Sequence, residues 1–166
     1  SRHRQCDVRN QAVNEAAELA FRWASAADAS HVRDLTHAAY AKWVPVIGRE
    51  PRPMLCDYVE RTKIDPIKIA ERQGRAIGLV HMVRCDGYLL VENIAVDPAC
   101  QTAGIGSQLL IRAEEFAKAE GYREVRLYTN EAFATNVAFY LKRGYSVTGT
   151  EPFGNGTVIH FIKPFA

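Results

Sequence analysis

The stretch Val91-Glu92-Asn93-Ile94-Ala95-Val96-Asp97-Pro98-Ala99-Cys100-Gln101-Thr102-Ala103-Gly104-Ile105-Gly106 holds the residue types most able to do chemistry in this chain. An apolar run stops at Asp97-Pro98. A glycine-containing loop then feeds a segment whose Ile105, Leu109, Ala113, Phe116 and Ala117 recur at helical spacing. The first turn of a helix leaves about four amide N–H groups without intrahelical partners, and its macrodipole adds about half a positive charge. Gly104 and Gly106 remove side chains where an anion would approach the backbone. The ligand such a loop suits is a phosphate or pyrophosphate. A dinucleotide-binding fingerprint would place glycine at position 109, where Leu109 stands, and a P-loop would need Gly-Lys-Ser/Thr, which is absent. On the two glycines alone, a turn or packing pair explains the pattern as well as an anion site does.

Other reactive side chains are scattered. Glu92 is the only acid within Tyr88–Val96. His81 and His160 lie on strand-like segments and read best as satisfied structural histidines. Neither belongs to a metal spacing such as HExxH, so no metal is expected. Cys100 reads as a small buried filler rather than a nucleophile. Cys6, Cys56, Cys85 and Cys100 form no CxxC pair, which favours reduced thiols and a cytoplasmic location over a disulfide framework. Lys142 and Arg143 close a helix-like segment. There they complement the helix dipole, with contact to a ligand phosphate as the alternative.

The elements that must position these groups fit one domain. The chain has 166 residues, 48% of them hydrophobic, enough for a sizeable core. A net charge of +2 advertises no concentrated basic face, so nucleic acid is not expected as a partner. The longest apolar runs, such as Leu89–Val91 and Ile94–Val96, are far too short for a membrane span, and Ser1–Cys6 lacks a signal-like apolar stretch. Residues 1–19 are polar and irregular and read as an extension or expression remnant, with residues 20–166 as the single domain. Phe21 and Trp23 alternate with Arg22 in a first strand, Ala20–Ala24. A helix starting at Asp28 or Ser30 is predicted to run to about Trp43, followed by a proline-rich loop over Val44–Pro53 and a second helix over Met54–Arg61. Three strands follow: one from Ile67, then Ile77–Val83 and Tyr88–Val96. The last is so apolar that it should be central. The long helix after Gly104 ends at Gly121. A strand at Glu124–Thr129 and a helix at Thr135–Arg143 come next. Two strands, Tyr145–Gly149 and Thr157–Lys163, joined by a loop over Pro152–Gly156, close the chain. That order describes an α/β fold with a mixed sheet.

In this context Gln101-x-x-Gly104-x-Gly106 resembles the acetyl-CoA signature of the GNAT superfamily of N-acetyltransferases. Phe21-Arg22-Trp23-Ala24, followed by Asp28-Ala29, resembles the opening strand and helix start of that family. Asn136, Ala138, Phe139 and Tyr140, followed by Gly144-Tyr145, resemble its late helix, and the three segments occur in the family's order from about residue 20 to the end. The resemblance implies a GNAT-like fold in which the strands Tyr88–Val96 and Glu124–Thr129 run parallel and splay apart. It implies acetyl-CoA as co-substrate. Its pantetheine arm would bond to the backbone at Ile94, Ala95 and Val96. Its pyrophosphate would lie on the loop of Gln101, Thr102, Ala103, Gly104, Ile105, Gly106 and Ser107. Asn136 would contact the cofactor, and Tyr140 would sit near its sulfur.

Direct transfer of acetyl to an amine needs a base for the ammonium proton, a donor for the oxyanion and an acid for the departing thiolate. Glu92 is the expected base, with a structural strand acid or a substrate-positioning acid as the alternative. A strand N–H near Ile94, freed by splaying or a bulge, is the expected oxyanion donor. Tyr140 is the expected acid, with a core aromatic as the alternative. In the family the acceptor site is built by the first helices and by the loop between the last strands, here Tyr40–Tyr58 and Glu151–Gly156. Tyr40 and Trp43 are expected to line an apolar or cation-binding pocket, with Arg49 and Arg52 holding a carboxylate or phosphate. A loop that merely covers the core is the competing reading. The expected acceptor is a small-molecule amine. The alternatives are a protein N-terminus or other macromolecular amine, and a non-catalytic acyl-CoA-binding module. A homodimer is compatible with this reading, and no membrane partner is expected.

Overall fold

Alternation of apolar and polar residues from Ile67 onward produces the strands that carry the site. In a computed structural model describing residues 18–166, apart from the side chains of Thr102 and Ala103, these strands form one seven-stranded sheet. The expected extension therefore lies outside the described residues except for Glu18 and Leu19, and Leu19 packs against the main core. The strands are β1 (Ala20–Trp23), β2 (Ile67–Arg72), β3 (Arg75–Arg84), β4 (Leu89–Val96), β5 (Glu124–Asn130), β6 (Ser146–Phe153) and β7 (Gly156–Pro164), in spatial order β1-β2-β3-β4-β5-β7-β6. The apolar β4 is central, as its composition requires. Among the described residues no helix is long and apolar enough to cross a membrane.

Two irregularities in β4 create the site. Across β3, His81 pairs with Asn93 but Met82 pairs with Val91, so Glu92 is an extra, bulged residue. The bulge shifts the phase of the strand. Leu89 and Val91, before it, join the core beneath the long helix α4 (Ile105–Ala119). Asn93 and Ala95, after it, face the opposite side, where α1 (Ala29–Tyr40) and α3 (Tyr58–Ile64) lie. On the other edge, β4 pairs in parallel with β5 only at Leu89–Val125, Leu90–Arg126 and Val91–Leu127. From Glu92 onward the two strands part, as the expected splay requires.

Each sheet face has its own core. Ile105, Leu109, Leu110 and Ala113 of α4 and Tyr140 of α5 (Ala134–Lys142) pack with Val80, Met82 and Phe161. Val32, Ala39, Tyr58, Ile69, Leu79 and Ala95 form the second cluster. Gly78 admits α4 closely, since a Cβ there would stand 3.0 Å from Leu109 Cδ1 and 3.3 Å from the Ala95 carbonyl oxygen.

The structure departs from the sequence reading in three places. The expected loop at 44–53 contains a one-turn helix, α2 (Val44–Ile47), because Pro45 fits a first turn and Gly48, at φ 72°, closes it. The expected helix at 54–61 instead begins at Tyr58, because Asp57 caps it through the Glu60 amide at 3.3 Å. The last two strands are longer than expected, so residues 151–156 are the tip of a β-hairpin rather than an open loop.

Candidate functional site

Asp97 ends β4 and caps a 3-10 turn over Pro98–Ala103 by accepting from the Ala99 amide at 2.9 Å. Gly104 follows in the left-handed conformation at φ 72°, ψ 16°, which redirects the chain into α4. A Cβ on Gly104 would have nothing within 4 Å, so this glycine serves backbone conformation and open approach. Gly106 lies against the Phe139 ring, 3.5 Å from where its Cβ would be. The Gln101 side chain donates to the Val96 carbonyl at 3.3 Å and fixes the loop to the strand end. Thr102 and Ala103 lie in this turn, with their side chains outside the described set.

The helix start opens onto a cleft lined by Ile94 and Val96 of β4, Gln101, Gly104, Gly106 and Ser107 of the loop, Asn136 and Tyr140 of α5, and Arg143 at its C-terminal cap. The structure thus brings the loop residues, Ile94, Val96, Asn136 and Tyr140 to one cleft. Ile105 is fully buried beneath the loop, and the Ala95 side chain lies in the opposite core, leaving only their backbone groups for a ligand. Arg143 lies across the helix start. Its guanidinium donates to Ser107 Oγ from Nε at 2.7 Å and also from Nη2, donates to the Phe139 carbonyl at 3.0 Å, and stacks on the Phe139 ring at 3.6 Å. It faces the anion-type loop as well as ending α5, a placement that the dipole reading of the sequence missed.

A second cavity adjoins the splay, lined by Tyr40, Ile47, Arg49, Glu50, Arg52, Glu92, Tyr128, Phe133, Phe153 and Val158 among others. Glu92 points into it from the bulge, and its Oε1 accepts from the Tyr128 hydroxyl at 2.7 Å. Tyr128 is the β5 residue just beyond the last parallel pair, so the hydrogen bond spans the point where the strands part. Burial and the neighbouring Glu92 charge push the Tyr128 hydroxyl well above its ordinary pKa, so it remains a donor. Sequence reasoning missed Tyr128. The available signal was its place one residue past the apolar β5 core, facing the acid of β4.

Tyr40 lines both spaces and marks their junction. Its hydroxyl approaches the Ile94 carbonyl at 3.5 Å, and desolvation raises its pKa well above the ordinary value. Trp43 lines the cleft but not the second cavity, and it stacks on Phe133 with centroids 4.5 Å apart, closing α2 over the start of α5. Arg49 reaches the β6–β7 hairpin, donating to the Phe153 carbonyl at 3.2 Å and lying 4.5 Å from its ring. The Tyr140 ring packs on Phe139, Tyr145 and Phe161, while its hydroxyl has no hydrogen-bond partner among the described residues. Burial raises its pKa, so it stays protonated through the neutral range.

His81 is buried and holds Asp65 Oδ2 at 2.7 Å, and His160 pairs with Glu151 on the surface. Among the described residues no three His, Cys, Asp or Glu side chains gather as a metal site.

The chain's likeness to known proteins agrees with this geometry. The Acetyltransferase (GNAT) family matches residues 29–145, and the chain belongs to that family. The IAA acetyltransferase of Azospirillum brasilense is 34% identical over 88 residues, 52% of this chain and 56% of that protein. The chain thus spans about half the length of the curated relatives it matches. Among solved structures, the PaiA N-acetyltransferase of Thermoplasma acidophilum in complex with coenzyme A superposes with a TM-score of 0.73 over 89% of this chain and 99% of that one, at 18% identity. A GNAT acetyltransferase from Elizabethkingia anophelis with acetyl-CoA bound gives 0.70 over 89% and 98%, also at 18%. At such identities these likenesses establish the GNAT fold.

Proposed function

We propose that this protein is an acetyl-CoA-dependent N-acetyltransferase that acts on a small-molecule amine by direct transfer in a ternary complex. The observation that carries the reading is the position of Glu92. Its carboxylate stands in a bulge where β4 and β5 part, facing the second cavity, while the same splay opens to the cleft headed by the glycine loop. Acetyl-CoA lies in that cleft with its pyrophosphate on the start of α4, Arg143 adding a cation there and Asn136 a polar contact. The relatives solved with coenzyme A or acetyl-CoA support this placement.

The amine nitrogen, neutral after losing its ammonium proton to Glu92 directly or through water, attacks the thioester carbonyl. The carbon–nitrogen bond forms, a β4 amide near Ile94 receives the oxyanion, and collapse breaks the carbon–sulfur bond. The thiolate takes its proton from Tyr140, the proton shed by the acylated nitrogen restores Tyr140 through water, and the products are an N-acetyl amide and free CoA thiol. Tyr140 suits this step better than Tyr40, because the Tyr40 hydroxyl already approaches the Ile94 carbonyl. A cytoplasmic location belongs to the same reading, since Cys56, Cys85 and Cys100 are all free thiols suited to a reducing compartment.

The test is thiol release from acetyl-CoA across a panel of amino acids, polyamines, aminoglycosides and peptides. At least one small amine should give turnover above the hydrolytic background, and Glu92→Gln should lower that turnover by about 10²–10⁴-fold. Thiol release with peptides alone would favour the macromolecular acceptor. Tight acetyl-CoA binding with no turnover on any acceptor would favour a binding module.

A further inference from the structure

The cavity beside Glu92 carries two guanidinium groups that meet no carboxylate. Arg49 and Arg52 both line it, and neither takes part in an ion pair among the described residues. A guanidinium has five N–H donors in a planar fork. Arg49 uses one on the Phe153 carbonyl, and Arg52 lies 5.3 Å from the centroid of the Tyr128 ring with no hydrogen bond to the described residues. Most of these donors are therefore left for a ligand.

Their placement relative to Glu92 sets the shape of that ligand. Tyr128 stands between the two charges, with Arg52 over its ring and its hydroxyl on Glu92 Oε1. Glu92 and Arg52 are thus separated by about one aromatic side chain, Arg49 lines the same cavity from the Phe153 side, and only one Glu92 oxygen is engaged by Tyr128. Ile47, Phe133, Phe153 and Val158 give the cavity an apolar stretch of wall, and Glu50, Thr129 and Asn130 line it as well, with Glu50 in no ion pair with either arginine among the described residues. A cation subsite at Glu92, an anion subsite at the arginines and an apolar stretch of wall in one cavity match a small zwitterion with a hydrophobic side chain.

We propose that the acceptor is an α-amino acid with an apolar side chain, its carboxylate held by Arg49 and Arg52 and its amine directed to Glu92. This inference rests on the reading of the cavity as the acceptor site. Paired guanidinium donors favour a free carboxylate over a peptide amide, because an amide offers no charge to satisfy them. The Arg49 fork is held by the hairpin tip. Gly154, at φ 58°, lies so close beneath it that a Cβ there would collide with the guanidinium.

Calorimetric titration of the CoA-loaded protein tests the inference without requiring turnover. The probes are L-phenylalanine, L-leucine, L-phenylalaninamide, which keeps the amine and side chain but lacks the carboxylate, and 3-phenylpropanoate, which lacks the amine and should bind more weakly than L-phenylalanine. L-phenylalanine should bind more tightly than its amide by about 10- to 100-fold, the range for hydrogen bonds to a charged group. Arg49→Gln with Arg52→Gln should bring acid and amide to similar affinity. Should the double variant fail to fold, Arg52→Gln alone, which gives up only a ring contact, carries the same comparison with a smaller expected loss. Equal binding of acid and amide by the wild type, an undiminished preference in the variants, or no binding of L-phenylalanine or L-leucine would overturn the proposal. Carboxylate-dependent binding without thiol release from acetyl-CoA would uphold this site and defeat the transferase reading. Thiol release with the amide but not the acid would do the reverse.

Discussion

Tyr140 shows how one side chain serves two purposes. Its ring is part of the core, in contact with Tyr145 and Phe161, while its hydroxyl is left without a partner in a residue that lines the cleft. A hydroxyl kept only for packing gains nothing from burial, so Tyr140→Phe separates the two purposes. Acetyl-CoA affinity and thermal midpoint should stay close to wild type, and turnover should fall by about 10²–10⁴-fold. Turnover near wild type would leave Tyr140 as a core aromatic only. His81 is held on one side only, its Nε2 engaged and its buried Nδ1 without a hydrogen-bond partner among the described residues. Its side chain is 1% exposed and holds Asp65, itself 5% exposed, at 2.7 Å, with Arg61 a further 3.6 Å from the same oxygen. Replacing one member of a buried pair strands the other. His81→Leu should therefore cost about 3 kcal/mol of unfolding free energy in urea denaturation. A loss below half of that would mean that Arg61 alone suffices to hold the Asp65 charge.

At the scale of elements, the join of β4 to α4 carries the cofactor site, and Gly104 controls it through backbone conformation and open space rather than packing. Asparagine and aspartate tolerate positive φ better than other side chains, so Gly104→Asn and Gly104→Asp impose similar strain and differ in charge. Both should fold, with a similar modest loss of stability. Gly104→Asp should weaken acetyl-CoA binding by about tenfold or more relative to Gly104→Asn, since its carboxylate opposes the pyrophosphate. Equal affinities in the two variants would move the pyrophosphate away from this loop. The loop was legible in the sequence because glycines, a strand stop and a helical apolar stripe are local signals. So were the central place of β4, from its apolar run, and the late helix ended by Gly144. The bulge at Glu92 was not, because it appears only in the pairing of His81 and Met82 with β4. Arg143 was read as a dipole partner because its contact with Ser107 joins residues 36 apart in sequence. The start of α3 was misplaced because the apolar spacing around Leu55 outweighed the Asp57 cap, whereas Leu55 is 69% exposed.

At the scale of the whole molecule, the two layers of helices must be fixed to the sheet for the splay to keep its shape, and one polar cluster joins three elements on the α1 side. Arg22 of β1 donates to both oxygens of Asp28, at 2.8 and 2.9 Å, and to Glu71 of β2 at 2.5 Å. Asp28 also accepts from the Ser25 amide at 2.8 Å, closing the turn that starts α1. The hydrogen bonds from Arg22 hold the Asp28 carboxyl well below the usual carboxylate range, and Arg22 is raised in turn. A folded pKa below the unfolded one means that the ionised carboxylate stabilises the fold above about pH 4 and that this contribution is lost as pH falls further. Asp28→Asn keeps the shape but not the charge. It should lower unfolding free energy by about 1–2 kcal/mol near pH 7, the low end being favoured because the Arg22 side chain is 42% exposed and its charge partly screened. The gap between wild type and variant should then narrow as pH drops below about 4, where the wild-type carboxylate gradually takes up its proton. Urea denaturation of both proteins near neutrality and near pH 3 measures the gap directly. A gap that stays constant across that range would show that the side chain acts at the start of α1 through hydrogen-bond geometry alone, without its charge.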